Sequence, residues 1–329
     1  MTTHMEQGYR RVLVATDFSP YALAAFKQAI WLARQSGAKI TLAHTLPDFR
    51  KVVLSASHQA KADLFYGDGG VFQREVRQQS DTRMQNLVAE MNATDLDVQV
   101  ETLLGEPYMQ ITHAVQAEGY ELVIVGTRGM STWERLFVGS TAKRLIRNCP
   151  SSVWIVKEEH AGLPKVVLAA TDFSDVSRKA VAQGLRLAQQ SGAAFHLLHV
   201  IDSADAPDDM IAMVPQGGSL RQEINDEATK RLDEFVESFQ TVSTPVHRHL
   251  SWGTPWRELA GTAKNLAADL IVMGTVGHSG ITGLLLGNTA EKVLDTCDCS
   301  ILTVKPDDFV SPIEPSFWRL HPEPDGEKT

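Results

Sequence analysis

Apolar residues along the chain fall into two kinds of run. Short, largely β-branched or aliphatic blocks have the length and composition of strands buried on both faces of a sheet. They are "RVLVAT" (11–16), "KITLAHT" (39–45), "DVQVETLL" (97–104), "ELVIVG" (121–126) and "SSVWIVK" (151–157). Between them, apolar positions recur at helical spacing. After Ser19-Pro20, an N-cap followed by a proline at the first helical position, Leu23, Phe26, Ile30 and Ala33 line one face until Gly37 ends the helix. Residues 71–91 predict a long helix, 108–117 another, and "TAKRLIRN" (141–148) a third. Strands alternating with helices predict right-handed crossovers and a parallel sheet covered on both sides.

The pattern occurs twice. "VLVATDFS" (12–19) returns as "VLAATDFS" (167–174), "LARQSGA" (32–38) as "LAQQSGA" (187–193), and His44 as His199, each offset by 155 (for example 199 − 44). Further on, "GEP" (105–107) pairs with "GTP" (253–255), and "VIVGTRG" with "IVMGTVG", at an offset of 148 (274 − 126). The copies differ by seven residues (155 − 148), all between His44 and Gly105 in a loop-rich stretch. Two α/β domains follow, 1–158 and 159–306, joined near "EEHAGLPK" (158–165). The segment 307–329, with Pro312, Pro315, Pro322 and Pro324 among acidic residues, is read as a disordered tail.

Charge and cysteine content narrow the function classes. A formal net charge of −9 argues against nucleic acid or an anionic membrane as partner, since both demand cationic surface. Only Cys149, Cys297 and Cys299 occur, with no CxxC spacing and no disulfide-scaffold density, so a reducing compartment is expected. The polar first nine residues and the lack of a membrane-length apolar run lead to the expectation of a cytoplasmic protein.

The candidate chemistry lies in "GTRGMSTWERLFVGS" (126–140), which connects a strand to a helix. Glycines allow positive φ and close approach of a ligand to backbone N–H groups. Gly139 and Ser140 open a helix whose unpaired N–H groups and dipole favour an anion. Ser140 adds a hydroxyl and Arg128 a cation. The alternative is that the glycines only make a tight connection. Neither a Walker A motif nor a GxGxxG fingerprint follows any strand.

With these residues in view, both halves resemble universal stress protein domains in tandem. The ATP-binding members of that family carry G-x2-G-x9-G-[S/T], matched here by Gly126, Gly129, Gly139 and Ser140. The "TDFS" stretches and the second strands ending in His44-Thr45 and His199-Val200 are also similar to the family. The resemblance implies two tandem doubly wound parallel five-stranded sheets, adenine nucleotide α-hydrolase-like, with strand order 3-2-1-4-5. It further implies that ATP lies with Ala15, Thr16 and Asp17 at base and ribose and Thr45 at the adenine edge. Val125 and Gly126 would abut the ribose and α-phosphate, while Gly129, Gly139, Ser140 and Thr141 would hold the polyphosphate, with Mg²⁺ as a companion of the triphosphate. The equivalents in the second half are Ala170, Thr171, Asp172 and Val200 for the nucleoside. Met273, Gly274, Gly277, Gly287, Asn288 and Thr289 correspond to the phosphate loop.

The second copy departs from the motif: Asn288 replaces the hydroxyl residue and Val276 replaces Arg128, so the first half is expected to bind more tightly. An efficient ATPase needs a water-orienting group and a cation clamp. Asp17, Arg128 and a bound Mg²⁺ are the candidates near the motif, and Asp17 has the alternative of shaping the strand-one turn. A nucleotide-dependent stress-response switch with an unidentified protein partner is therefore expected, with slow hydrolysis at most and no assigned catalytic residue. The other reading is an interaction scaffold that ignores nucleotide.

Three further features bear on function. His247 and His249 alternate on one strand and share a face, but a third metal ligand is lacking and a structural pair is preferred. Cys149 and Cys297 are equivalents (297 − 149 = 148) read as packing thiols, and a Cys297–Cys299 disulfide would be strained. Trp133, Leu136, Phe137 and Val138 form either a lid or a partner surface. In the family the fifth strands pair domains, which implies an intramolecular pseudo-dimer and leaves open a homodimer of the full chain.

Overall fold

The first helix shows how local sequence sets the architecture. Ser19 Oγ accepts the Ala22 N–H at 3.2 Å, and Pro20 occupies the first turn. Gly37, at φ 69°, returns its N–H to Ala33 O at 2.7 Å. That left-handed cap favours glycine. The element α1 thus spans Pro20–Ser36, as the pattern predicts.

The computed structural model describes residues 8–47, 69–127, 138–202, 217–239, 244–277 and 286–315. The first half runs β1 (Arg11–Thr16), α1, β2 (Lys39–Leu46), α2 (Gly69–Glu90), β3 (Val98–Leu104), α3 (Pro107–Glu118), β4 (Leu122–Gly126), α4 (Ser140–Asn148) and β5 (Ser152–Val156). The second runs β6 (Val166–Thr171), α5 (Asp175–Ser191), β7 (Ala194–Asp202), α6 (Gly217–Glu237), β8 (Val246–Gly253), α7 (Pro255–Leu266), β9 (Leu270–Gly274), α8 (Asn288–Thr296) and β10 (Ser300–Val304).

Within each half the strands are parallel and lie in the order third, second, first, fourth, fifth. The fifth strands, β5 and β10, pair antiparallel, so the ten strands of the described residues form one sheet, β3-β2-β1-β4-β5-β10-β9-β6-β7-β8. Its two faces carry two cores. One packs β1 and β6 residues such as Val12, Val14, Val167 and Ala169 against α1, α2, α5 and α6. The other packs Leu13, Val123, Leu168 and Ile271 against α3, α4, α7 and α8. Each core runs through both halves.

The connection between the halves is fastened to both. Gly162 N–H donates to Gln28 Oε1 of α1 at 2.9 Å, and the Lys165 and Val166 N–H groups donate to Asp269 Oδ2 at 2.7 and 2.9 Å. Residues 307–315, the start of the segment read as a disordered tail, make contacts with both halves. Asp307 pairs with Lys179 of α5, the Lys305 ammonium lies 3.7 Å from the Phe309 ring centroid, and Gln116 Nε2 of α3 donates to Ile313 O at 2.8 Å. Composition signals disorder only where no distant partner supplies contacts, and here the partners come from both halves.

Candidate functional site

The chain order places β1 between β2 and β4, so consecutive elements leave β1 in opposite directions across the sheet. The crevice beyond the carboxyl ends of β1 and β4 is where an open α/β sheet takes a ligand. The turn after β1 is built by its own side chains. Thr16 Oγ1 accepts the Phe18 N–H at 3.0 Å, Asp17 Oδ1 accepts the Ser19 N–H at 3.0 Å, and Ser19 then caps α1. Thr171, Asp172 and Ser174 repeat all three bonds at 3.0, 3.1 and 3.2 Å. Asp17 thus does shape the turn, the alternative its sequence position allowed, and Asp172 does the same in the second half.

These turns force a bulky residue into the left-handed region: Phe18 has φ 62° and Phe173 φ 65°. Such residues cost about 1–3 kcal/mol each and persist where surrounding contacts fix them. The Phe18 ring lies 4.8 Å from the His44 ring and 3.9 Å from the Arg83 guanidinium. Phe173 lies 4.3 Å from His199 and 4.6 Å from Arg231. Sequence reasoning singled out neither the phenylalanines nor the arginines. The available signal was the repeat itself, since Arg83 and Arg231 are offset by 148 (231 − 83).

His44 Nδ1 lies 2.7 Å from Thr16 O, and His199 Nδ1 lies 2.9 Å from Thr171 O. A carbonyl only accepts, so Nδ1 carries the proton and Nε2 is left as the second site on each ring. Burial lowers the His199 pKa below its usual 6.5, and the Arg231 charge acts in the same direction. Both histidines tie the first strand to the second.

On the other side of the crevice, Val125 is buried and Gly126 ends β4. Thr127 N–H donates to Val156 O at 3.2 Å, and Gly139 N–H donates to Thr127 O at 2.7 Å, which closes the base of the loop. Thr275 and Gly287 repeat both bonds, at 3.0 and 2.8 Å. Gly139 and Gly287 are the N-caps of α4 and α8 and supply no capping side chain to those first turns. Ser140 and Thr141, like Asn288 and Thr289, open these helices. Arg128, Gly129, Trp133, Leu136 and Phe137 lie outside the described residues.

The reason for glycine differs from the sequence expectation. Among the described motif glycines, Gly126, Gly139, Gly274, Gly277 and Gly287, none has positive φ. What Gly126 needs is space: a Cβ there would stand 2.6 Å from the backbone C and O of Tyr21 in α1. A Cβ on Gly277 would stand 2.8 Å from Asp172 Oδ2, which brings the second loop and the β6 turn together. Ala15, Ala170, Thr45, Val200 and Met273 all lie near the carboxyl ends of their strands, at one end of the sheet within each half.

The histidine pair on β8 has company that the sequence did not show. His196 of β7 is in register with His247, its Nδ1 lies 2.8 Å from His249 Nε2, and its ring centroid is 4.8 Å from that of His247. Among the described residues no three His, Cys, Asp or Glu side chains are arranged to hold a metal. Cys149, Cys297 and Cys299 are buried free thiols whose pKa values are raised by burial. Among the described residues no helix is long and apolar enough to cross a membrane.

Comparison with known proteins agrees with this geometry. The chain is 24% identical to "Universal stress protein E" of Escherichia coli over 317 residues, covering 93% of this chain and 97% of that protein. A functionally unknown protein from Pseudomonas aeruginosa has the same fold, with a TM-score of 0.65 at 20% identity over 92% of this chain and 94% of that one. A universal stress protein from Archaeoglobus fulgidus aligns with a TM-score of 0.56 at 19% identity, covering 90% of this chain and 98% of that one. Residues 8–157 and 164–305 each match the universal stress protein family, and the chain therefore belongs to that family as a tandem member.

Proposed function

We propose that the first half binds ATP at the carboxyl ends of β1 and β4, and that occupancy acts as a switch for a partner in a stress response. The observation that carries the reading is the start of α4: a helix whose N-cap, Gly139, has no side chain to satisfy the first turn, set beside the closed base of the glycine loop. Unpaired N–H groups and about half a positive charge at that point attract phosphate. Ser140 would add a hydroxyl donor. The Asp17 turn would meet the ribose, and Thr45 the base edge. Mg²⁺ would travel with the triphosphate and screen its charge. In the second half Asn288 offers an amide instead of a hydroxyl and Val276 brings no charge, so that site is the weaker one. Hydrolysis, where it occurs, is slow.

A second reading is favoured by the packing of Gly126 against the Tyr21 main chain, a contact that requires glycine without any nucleotide. In that reading the chain is an interaction scaffold. Gly139→Val separates the two. The backbone there, φ −61° and ψ 156°, is extended and lies in a region that branched residues adopt. Calorimetric titration of the full chain with ATP is expected to lose at least about tenfold in affinity at the tighter site, a change of about 1.4 kcal/mol. Unchanged affinity at an unchanged melting temperature would reject the binding reading and leave the scaffold.

A further inference from the structure

The joint between the halves has an approximate twofold axis, and it can be located to the residue. In the antiparallel ladder Ile155 pairs with Ile301, Trp154 with Leu302 and Val153 with Thr303. Because the copies are offset by 148, Trp154 faces its own equivalent (154 + 148 = 302). A joint made by two copies of the same half would bring this residue against itself: tryptophan on tryptophan, or leucine on leucine. The chain instead sets one large side chain against one of ordinary size, both buried, at 1% and 0% exposure. The Trp154 indole N–H has no hydrogen-bond partner among the described residues, so what it brings to this place is bulk.

The opposite face of the joint is differentiated by charge. Helices α4 and α8 meet there through Lys143 with Asp295, at 2.5 Å, and Arg147 with Glu291. Lys143 is the equivalent of Glu291 (143 + 148), and Arg147 that of Asp295 (147 + 148). The two contacts are therefore related by the same axis, yet both positions are basic in the first half and acidic in the second. Self-pairing of either half would replace two attractions by two repulsions.

A third pair of contacts uses the same residue type in both halves. Lys157 Nζ donates to Cys297 O at 2.7 Å, and its equivalent Lys305 (157 + 148) approaches Arg147 O at 3.5 Å. Each lysine reaches a main-chain carbonyl near a helix C-terminus, which attracts a cation, and Lys157 also lies 3.5 Å from Asp298 Oδ1. Both halves thus keep lysine at this contact, whereas Thr303, whose hydroxyl donates to Val153 O, has Ile155 as its equivalent (155 + 148), so the joint is asymmetric there as well.

We propose that the joint is hetero-specific: the surface made by α4 and β5 takes as partner the surface made by α8 and β10, and rejects a second copy of itself. Exposed ion pairs are individually weak. Selectivity arises from the difference between matched and mismatched arrangements, in charge on one face and in volume on the other. A chain closed in this way has no self-complementary fifth-strand surface to offer a second chain. The inference does not depend on nucleotide binding.

Two experiments test it. A protease site placed in the linker at 161–164, where Leu163 is exposed, lets the folded chain be cut. The halves are then unfolded in denaturant, refolded together, and their pairs counted by native mass spectrometry. Mixed pairs are expected to exceed each self-pair by at least about tenfold; self-pairs at the proportions of random pairing would overturn the proposal. Should the cut halves fail to refold, the intact chain still decides. K143E/R147E and E291K/D295R are each expected to lower the melting temperature by about 3–5 °C at low salt, and the combination of all four to restore it. W154L with L302W, which exchanges the axial pair, should likewise melt above L302W alone. If the combined variants lose the sum of their parts, the joint is not specified by these residues and the idea fails.

Discussion

At the residue scale, two glycines of one motif have different physical reasons to be glycine. Gly126 is held by its neighbour: an added Cβ meets the Tyr21 main chain at 2.6 Å, and main chain in the first turn of α1 cannot rotate away. Gly126→Ala should therefore destabilise the nucleotide-free protein by about 1–3 kcal/mol, the range for overpacking. Its equivalent is more tolerant, because the nearest atom to a Cβ on Gly274 is the tip of Val176, at 2.9 Å. Urea denaturation without ligand is expected to rank Gly126→Ala as clearly less stable than Gly274→Ala. Equal midpoints would show that the Tyr21 contact is relieved at no cost. Gly139, by contrast, has room in its backbone conformation for a side chain, so its effect is expected on ligand affinity.

At the element scale, the edge pair β7–β8 sets a pH dependence. His196 and His249 have pKa values lowered from 6.5 by burial, with the neighbouring histidines acting in the same direction. Their neutral forms are therefore favoured in the fold, so the stability they contribute is present above about pH 6.5 and lost as pH falls through the lowered values. His249→Gln keeps a polar partner for His196 and removes one titrating ring. The drop in urea midpoint between pH 7 and pH 5 should shrink, and a drop as large as in the parent would assign the acid sensitivity elsewhere, for instance to His199 or His113, which burial also lowers. What could be read in advance at this scale follows the same logic. The strand spans were legible because a buried parallel strand announces itself within a few residues, and the helix ends because Ser19, Gly37 and their repeats cap locally. His196 beside His249, Arg83 over Phe18 and Tyr21 against Gly126 were not, because each depends on inter-strand register or on how a helix seats against the sheet. Arg128 and Gly129 lie outside the described residues and stand on sequence alone.

At the scale of the whole molecule, the continuous sheet couples the halves more closely than a linker between domains would. Both cores include residues of both halves, β5 and β10 share a ladder, and Thr303 Oγ1 donates to Val153 O across it at 3.1 Å, fully buried. The linker and the segment 307–315 add contacts from each half to the other. A unit built this way unfolds as one cooperative block, because opening one half exposes the fifth strand of the other. Leu13→Ala tests this: Leu13 is fully buried in the first half, and the truncation costs about 2–5 kcal/mol. Native-state hydrogen exchange should then show the most protected amides of β6 and β9, in the second half, losing the same free energy as those of β1 and β4. Were β6 and β9 to keep their parent protection while β1 and β4 lost theirs, the halves would be separate folding units that merely touch. The hetero-specific joint would then contribute to which halves meet and little to how firmly the chain holds together.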